Sequence, residues 1–181
     1  MHFSSDNLAL IIKAYAFAAR CHAGQRRKGC DHEPYINHLT DVAEKLWEIG
    51  AVRDVTVIAA GILHDTIEDT ELTEEQLAVE FNVDIAAIVM EVTDDMSLPN
   101  AERKRLQIEH ASSLSPRARL VKIADKISNI EDVISNPPVG WDDKRKRAYI
   151  EWGHAVVGKI RGTNDGLERW FDEVCAVRDG L

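Results

Sequence analysis

The segment Ala59-Ala60-Gly61-Ile62-Leu63-His64-Asp65-Thr66-Ile67-Glu68-Asp69 puts two opposed demands into one stretch of chain. From Asp54 onward it is apolar nearly all round, through Ala59, Ala60, Ile62 and Leu63, which predicts the most buried helix of the protein, running to about Asp69. At helical spacing His64 and Glu68 are i and i+4, as are Asp65 and Asp69, so four metal- or proton-competent groups project near one another. Burying that many carboxylates without a cation costs roughly several kcal/mol each. A solvated helix end is the alternative for this segment taken by itself.

Helical periodicity extends outward in both directions. Upstream, Leu8, Ile11, Ile12, Tyr15 and Ala18 recur at three- and four-residue spacing, which predicts a helix from Ser5 to about Arg20. Leu39, Val42, Ala43 and Leu46 repeat the pattern, with Gly50 expected to stop the helix in a left-handed cap. Downstream, Thr73-Glu74-Glu75-Gln76 has the form of a capping box for a short helix to about Phe81. Asp84 is the expected cap of a helix carrying Ile85, Ile88, Val89 and Val92, and Ser97-Leu98-Pro99-Asn100 breaks the chain after it. Ser115-Pro116 starts a long helix with the apolar face Leu120, Ile123, Ala124, Ile127 and Ile130. After the loop Asn136-Pro137-Pro138-Val139-Gly140, helices are expected over about Asp142 to Arg161 and Asn164 to Val177. No run alternates as a strand would, so the expected fold class is all-α.

The chain's 181 residues suit one domain, 1–181, with enough core to fold without disulfides. No apolar run reaches the ~20 residues of a membrane span, and Met1 to Asn7 lack the features of a secretory leader. Cys21, Cys30 and Cys175 fit neither a disulfide framework nor a zinc knuckle and read as free thiols, so a cytoplasmic location is expected. A net charge of −9 argues against nucleic acid as partner, whose affinity comes chiefly from Lys and Arg on phosphates. Positive charge is concentrated in Arg26-Arg27-Lys28, Arg103-Lys104-Arg105 and Lys144 to Arg147, which leaves a small phosphorylated ligand open.

His38 stands at the start of one predicted helix, and Asp125 on the polar edge of another. With His64 and Asp65 they would make a mixed nitrogen and oxygen site suited to a borderline or hard divalent ion, Mn²⁺ before Zn²⁺, which usually takes fewer ligands. From spacing alone a lone His38 is more often a helix-capping or partly buried structural residue than a ligand, and Asp125 can simply pair with Lys122 or Lys126.

The order His38, His64-Asp65, Asp125 resembles the HD phosphohydrolase superfamily, a helical bundle gathered around a divalent metal. The likeness is closer than that. His22 with Gln25-Arg26-Arg27-Lys28, Pro34-Tyr35-Ile36-Asn37-His38, Leu63 to Thr70, Val92-Thr93-Asp94-Asp95 and Lys122 to Asn129 resemble, in that order, the hydrolase domain of the RelA/SpoT family. With no room for a synthetase or regulatory domain, the chain is similar to the small alarmone hydrolases, also called Mesh-type enzymes.

That resemblance implies removal of the 3′-pyrophosphate from guanosine 3′,5′-bispyrophosphate or its pentaphosphate form, with Mn²⁺ held by His38, His64, Asp65 and Asp125. It implies that Glu68 and Asp69 orient and deprotonate the attacking water. Arg27 and Lys28 match basic residues of the family's nucleotide pocket, where arginine can stack on a purine or meet a phosphate. Asn129, one turn from Asp125, would hydrogen-bond ribose or phosphate, and Tyr35 would flank the base or pack. Ile130-Glu131 stands where the family commonly has Leu-Arg, and Met96 and Asn100 stand where relatives often carry lysines. Phosphate affinity and substrate preference are therefore the points at issue. The rival enzyme is an HD phosphohydrolase for another nucleotide, an adenine alarmone or a 2′- or 3′-phosphorylated dinucleotide cofactor. A silent nucleotide sensor is the non-enzymatic rival, disfavoured because pure binding gains nothing from water-activating carboxylates. The spacing leaves the oligomeric state open.

Overall fold

The computed structural model describes residues 4–176; the Met1–Phe3 part of the leader reading and the expected helix end at Val177 lie outside the described residues. The fold is all-α, with the order α1 (Ser5–Cys21), α2 (Ile36–Glu44), α3 (Val55–Leu63), α4 (Glu74–Glu80), α5 (Val83–Val92), α6 (Asn100–His110), α7 (Pro116–Ser135), α8 (Asp143–Gly158) and α9 (Asp165–Ala176). Among the described residues the only sheet-like pairings are two isolated bridges, Arg26 with Pro34 and Gly29 with Pro138. None of the described helices is long and apolar enough to cross a membrane.

α3 is the hub. Every residue from Val57 to Leu63 is buried, and the helix packs against α1, α2, α5 and α7. Fully burying a side chain such as Ile62 or Leu63 contributes about 1.5–3 kcal/mol, so a helix apolar all round gains only if neighbours cover every face. Gly61 allows one of those neighbours in: a Cβ there would lie 2.6 Å from Cδ1 of the fully buried Leu46.

The helix stops sooner than its composition predicts. α3 ends at Leu63, and residues 64–69 form turns rather than a further helical turn. His64 Nδ1 hydrogen-bonds to the Gly61 carbonyl at 2.8 Å and Thr66 Oγ1 donates to the Leu63 carbonyl at 2.6 Å. Side chains thus take acceptors that a continuing helix would offer to backbone amides. One i to i+4 link survives, from the Asp69 amide to the Asp65 carbonyl at 2.9 Å.

The caps follow local chemistry. Thr73 and Gln76 make the reciprocal capping box at α4, and Ser115 with Pro116 opens α7 as expected. α5 is capped by Asn82, whose Oδ1 accepts the Ile85 amide at 2.9 Å; Asp84 lies inside the first turn, because the cap residue must precede the first helical residue. After α2 the chain runs through a π-helical turn, Lys45–Ile49. The left-handed position falls on Ala51, φ 48°, not on Gly50, φ −76°. Gly50 serves close approach instead, since a Cβ would meet the Leu46 carbonyl oxygen at 2.9 Å and Leu167 at 3.1 Å.

α6 carries no apolar periodicity and no buried residue, so nothing in the pattern marks it as a helix. Good helix formers and the Glu102–Arg105 ion pair, 2.6 Å, support it locally, and the Trp152 indole donates to the Lys104 carbonyl at 3.0 Å to hold it against α8.

Candidate metal centre and active site

Three elements meet at one point. The first turn of α2 brings His38, the end of α3 brings His64 and Asp65, and the middle of α7 brings Asp125. One ligand atom each from His38, His64 and Asp65 lies within 4.8 Å of the others, as a common ion requires. Asp65 Oδ2 is 3.2 Å from His64 Nε2 and 3.6 Å from His38 Nε2. Asp125 Oδ1 faces the same two nitrogens, 3.4 Å from His38 Nε2 and 3.6 Å from His64 Nε2.

The imidazoles are held so that Nε2 is the free end. His64 Nδ1 must donate to the Gly61 carbonyl, and His38 Nδ1 lies 2.9 Å from Ser128 Oγ. His64 Nε2 is buried with no hydrogen-bond partner. Leaving a buried polar atom unpaired costs about 1–3 kcal/mol, and a metal ion removes that cost. The donor set, two imidazoles and two carboxylates, therefore fits a divalent ion on both geometry and chemistry.

The carboxylates are held from behind. The Tyr35 hydroxyl donates to Asp65 Oδ2 at 2.7 Å. Asn129 Nδ2 donates to Asp125 Oδ1 at 2.5 Å, and Lys126 Nζ sits 3.1 Å from Asp125 Oδ2. Burial pushes both acids toward neutrality, but for Asp65 the His64 charge, and for Asp125 the Lys126 charge, outweighs it and holds the carboxyl below the usual range. Burial likewise opposes charge on His64, yet Asp65 and Asp125 raise its imidazole to about 10, while burial lowers His38.

Glu68 and Asp69 reach the same region through the turns after α3. Glu68 Oε2 accepts the Asp94 amide at 2.9 Å; burial, with Asp65 and Asp94 adding, raises its carboxyl to about 7. Asp69 is raised by burial and by Asp65. Its carbonyl accepts Gln25 Nε2 at 3.1 Å, and Gln25 Oε1 lies 2.6 Å from Nδ1 of His22, whose ring stacks on Tyr35 at 5.0 Å.

The four basic and polar residues expected to line a nucleotide pocket divide. Arg27 pairs with Asp132 at 2.9 Å, donates to Asn129 Oδ1 at 3.0 Å and lies over the Tyr35 ring, which ties it to the Asp125 side of the cluster. Lys28 is exposed. Asn129 and Tyr35 each spend a polar group on a candidate ligand carboxylate, a second shared duty that spacing did not reveal. A groove of about 410 Å³ beside His38 is bordered by Arg27 but also by Asp31, Glu33, Asp41, Glu131 and Asp132. A smaller cavity of about 290 Å³, lined by Asp54, Arg117 and Arg119, lies at the other end of α7 and does not reach the imidazoles. The residue reading missed Ser128 and the support that α6 gives: Gln107 Nε2 donates to Asp94 Oδ2 at 2.6 Å, behind Glu68. Ser128 lies one helical turn after Asp125, which was the available signal for it.

A family model described as HD domain matches residues 14–148. The chain is 46% identical over 170 residues to a Xenopus tropicalis protein named guanosine-3′,5′-bis(diphosphate) 3′-pyrophosphohydrolase MESH1, covering 94% of this chain and 95% of that protein. It is 45% identical over 160 residues to the Homo sapiens protein of the same name, covering 88% and 89%. A solved structure described as "A metazoan ortholog of SpoT hydrolyzes ppGpp and plays a role in starvation responses" superposes with a TM-score of 0.92 at 40% identity, covering 100% of this chain and 99% of that one.

Proposed function

Because the chain belongs to the HD-domain family and shares nearly its whole length with MESH1 proteins, we propose that it hydrolyses the 3′-pyrophosphate of guanosine 3′,5′-bispyrophosphate or its pentaphosphate form, releasing GDP or GTP and pyrophosphate. The observation that carries this reading is the convergence of His38, His64, Asp65 and Asp125 beside two further carboxylates, with His64 Nε2 buried and making no hydrogen bond. His38, His64, Asp65 and Asp125 would hold the ion, Mn²⁺ in this reading. A divalent ion held there acidifies water and polarises a phosphoryl oxygen.

The chain's own residues supply the rest. Glu68, raised to about 7, has the basicity to accept a proton near neutral pH, and Asp69 orients the attacking water with it. The water oxygen bonds to the phosphorus next to the 3′ oxygen, the bond from that phosphorus to the 3′ oxygen breaks, and the 3′ oxygen takes up a proton. Tyr35, Asn129 and Ser128 hold the ligand side chains in place. Arg27 and Lys28 serve the nucleotide. In this reading residues 1–181 act as one domain in the cytoplasm on a small guanine nucleotide, with nucleic acid and membrane not involved. Support for one domain comes from a single hydrophobic cluster that draws on α1 to α5 and α7 to α9.

Purified protein supplied with Mn²⁺ should convert guanosine tetraphosphate to GDP and pyrophosphate in equal amounts. Failure to do so, with turnover of an adenine alarmone or a phosphorylated dinucleotide instead, overturns the substrate assignment.

A further inference from the structure

α6 brings one guanidinium toward Glu68. Arg103 has a side chain only 18% exposed, yet its donors are poorly matched. Its Nε is buried with no hydrogen-bond partner. Nη1 meets the Met96 thioether at 2.7 Å, a weak acceptor, and stands 3.9 Å from Glu68 Oε1, too far for a hydrogen bond. Arg105, two residues on, satisfies its own guanidinium on Glu102 and Glu109 at the surface. A largely buried guanidinium whose Nε makes no hydrogen bond can take an anion there.

The charge around it selects that anion. Lys122 and Lys126 are buried on α7, where Lys122 donates to the Val92 carbonyl at 2.8 Å and Lys126 pairs with Asp125 at 3.1 Å, and Lys104 lies over the Trp152 ring at 4.7 Å. Lys126 sits against the same ring from α7 at 4.4 Å. Burial first, and then repulsion from Lys126, lowers both Lys104 and Lys122. The groove on the Arg27 side is also bordered by Asp31, Glu33, Asp41, Glu131 and Asp132, so its pull on an anion rests on Arg27. A planar guanidinium fork suits a phosphate group, which it can bind through two parallel N–H donors.

We infer that Arg103 binds the pyrophosphate group that is cleaved, receiving it beside Glu68 and supplying the positive charge that Met96 and Asn100 do not. This rests on the pyrophosphohydrolase reading only for the identity of the reaction; the anion site itself is open to a direct test. As the water oxygen, its proton taken by Glu68, bonds to phosphorus and the bond from phosphorus to the 3′ oxygen breaks, negative charge builds on the phosphoryl oxygens, so Arg103 acts on kcat as well as on KM.

The test is calorimetric titration of inorganic pyrophosphate into the metal-free full-length protein, wild type against Arg103→Met and Arg103→Lys, with steady-state hydrolysis of guanosine tetraphosphate and thermal melts alongside. Arg103→Met should bind pyrophosphate at least about 10-fold more weakly and lower kcat/KM by about 100-fold, Arg103→Lys should recover part of both, and both should melt near the wild type. Pyrophosphate binding that is absent in the wild type, or unchanged in Arg103→Met, overturns the inference. A wild type that fails to hydrolyse the tetraphosphate while its pyrophosphate binding still depends on Arg103 overturns the activity reading and leaves the anion site standing.

Discussion

The Tyr35 hydroxyl donates to Asp65 Oδ2 at 2.7 Å, and that same oxygen faces Nε2 of both His64 and His38. A tyrosine read from the sequence as a base-flanking or packing group is thereby tied to the proposed metal. Tyr35→Phe keeps the ring and its stack on His22 but frees one carboxylate oxygen. Mn²⁺ affinity should fall by about 10- to 100-fold, the usual cost of losing a hydrogen bond to a ligand. Calorimetric Mn²⁺ titration checks this, and unchanged affinity would separate Tyr35 from the metal.

His64→Ala and Asp65→Ala each remove a group from the convergence point. Both should lose stoichiometric metal and essentially all turnover. Elemental analysis of the purified variants beside an activity assay measures both, and full metal content with normal rate in either variant refutes the ligand assignment.

Glu68 yields a rate prediction and a stability prediction. Glu68→Gln keeps shape but removes the proton acceptor, so kcat should fall by about 10²–10⁴-fold with metal retained. In the metal-free protein burial raises this carboxyl from an ordinary 4.5 to about 7. A folded pKa above the unfolded one means its favourable contribution is complete below the unfolded value and is lost as pH rises through about 7. Glu68→Gln should therefore raise the Tm of the metal-free protein at pH above 7 and not at pH 4, which melts across that range will show.

Arg27 binds Asp132 and Asn129 as well as facing the groove. Arg27→Ala should raise KM for the nucleotide markedly with a smaller change in kcat, and KM of the wild type should rise with added salt. KM measured at low and high salt for both proteins decides it; a KM untouched by the substitution would move the nucleotide elsewhere.

Glu131, a departure from the family pattern, accepts the Trp170 indole at 2.7 Å and pairs with the buried Lys45 at 2.7 Å. Glu131→Arg puts two cations together and should cost about 1–3 kcal/mol of stability, seen as a lower Tm, while kcat stays near the wild type. A large change in kcat would mean that Glu131 belongs to the reacting site.

The sequence determined the helices whose information is local. Apolar spacing of three and four residues requires one buried face, so α1, α5 and α7 are legible, and capping chemistry at Thr73-Gln76 and Ser115-Pro116 fixes where α4 and α7 begin. It also determined that α3 is the hub, because a helix apolar on all sides must be covered on all sides. The ordered motifs named His38, His64, Asp65 and Asp125 together, since residue type and order are properties of the chain itself. Tertiary structure alone decided the rest. α6 has no apolar face to announce it and is placed by contacts with α8, so the chain showed the charge of Arg103-Lys104-Arg105 but not that Arg103 stands beside Glu68. α3 stops at Leu63 because side chains capture its carbonyls, and Asn129, Tyr35 and Ser128 serve the candidate ligands because α2, α3 and α7 converge. Periodicity records which face of an element is buried; which polar atoms meet across three elements depends on their packing, and one-dimensional spacing does not carry it.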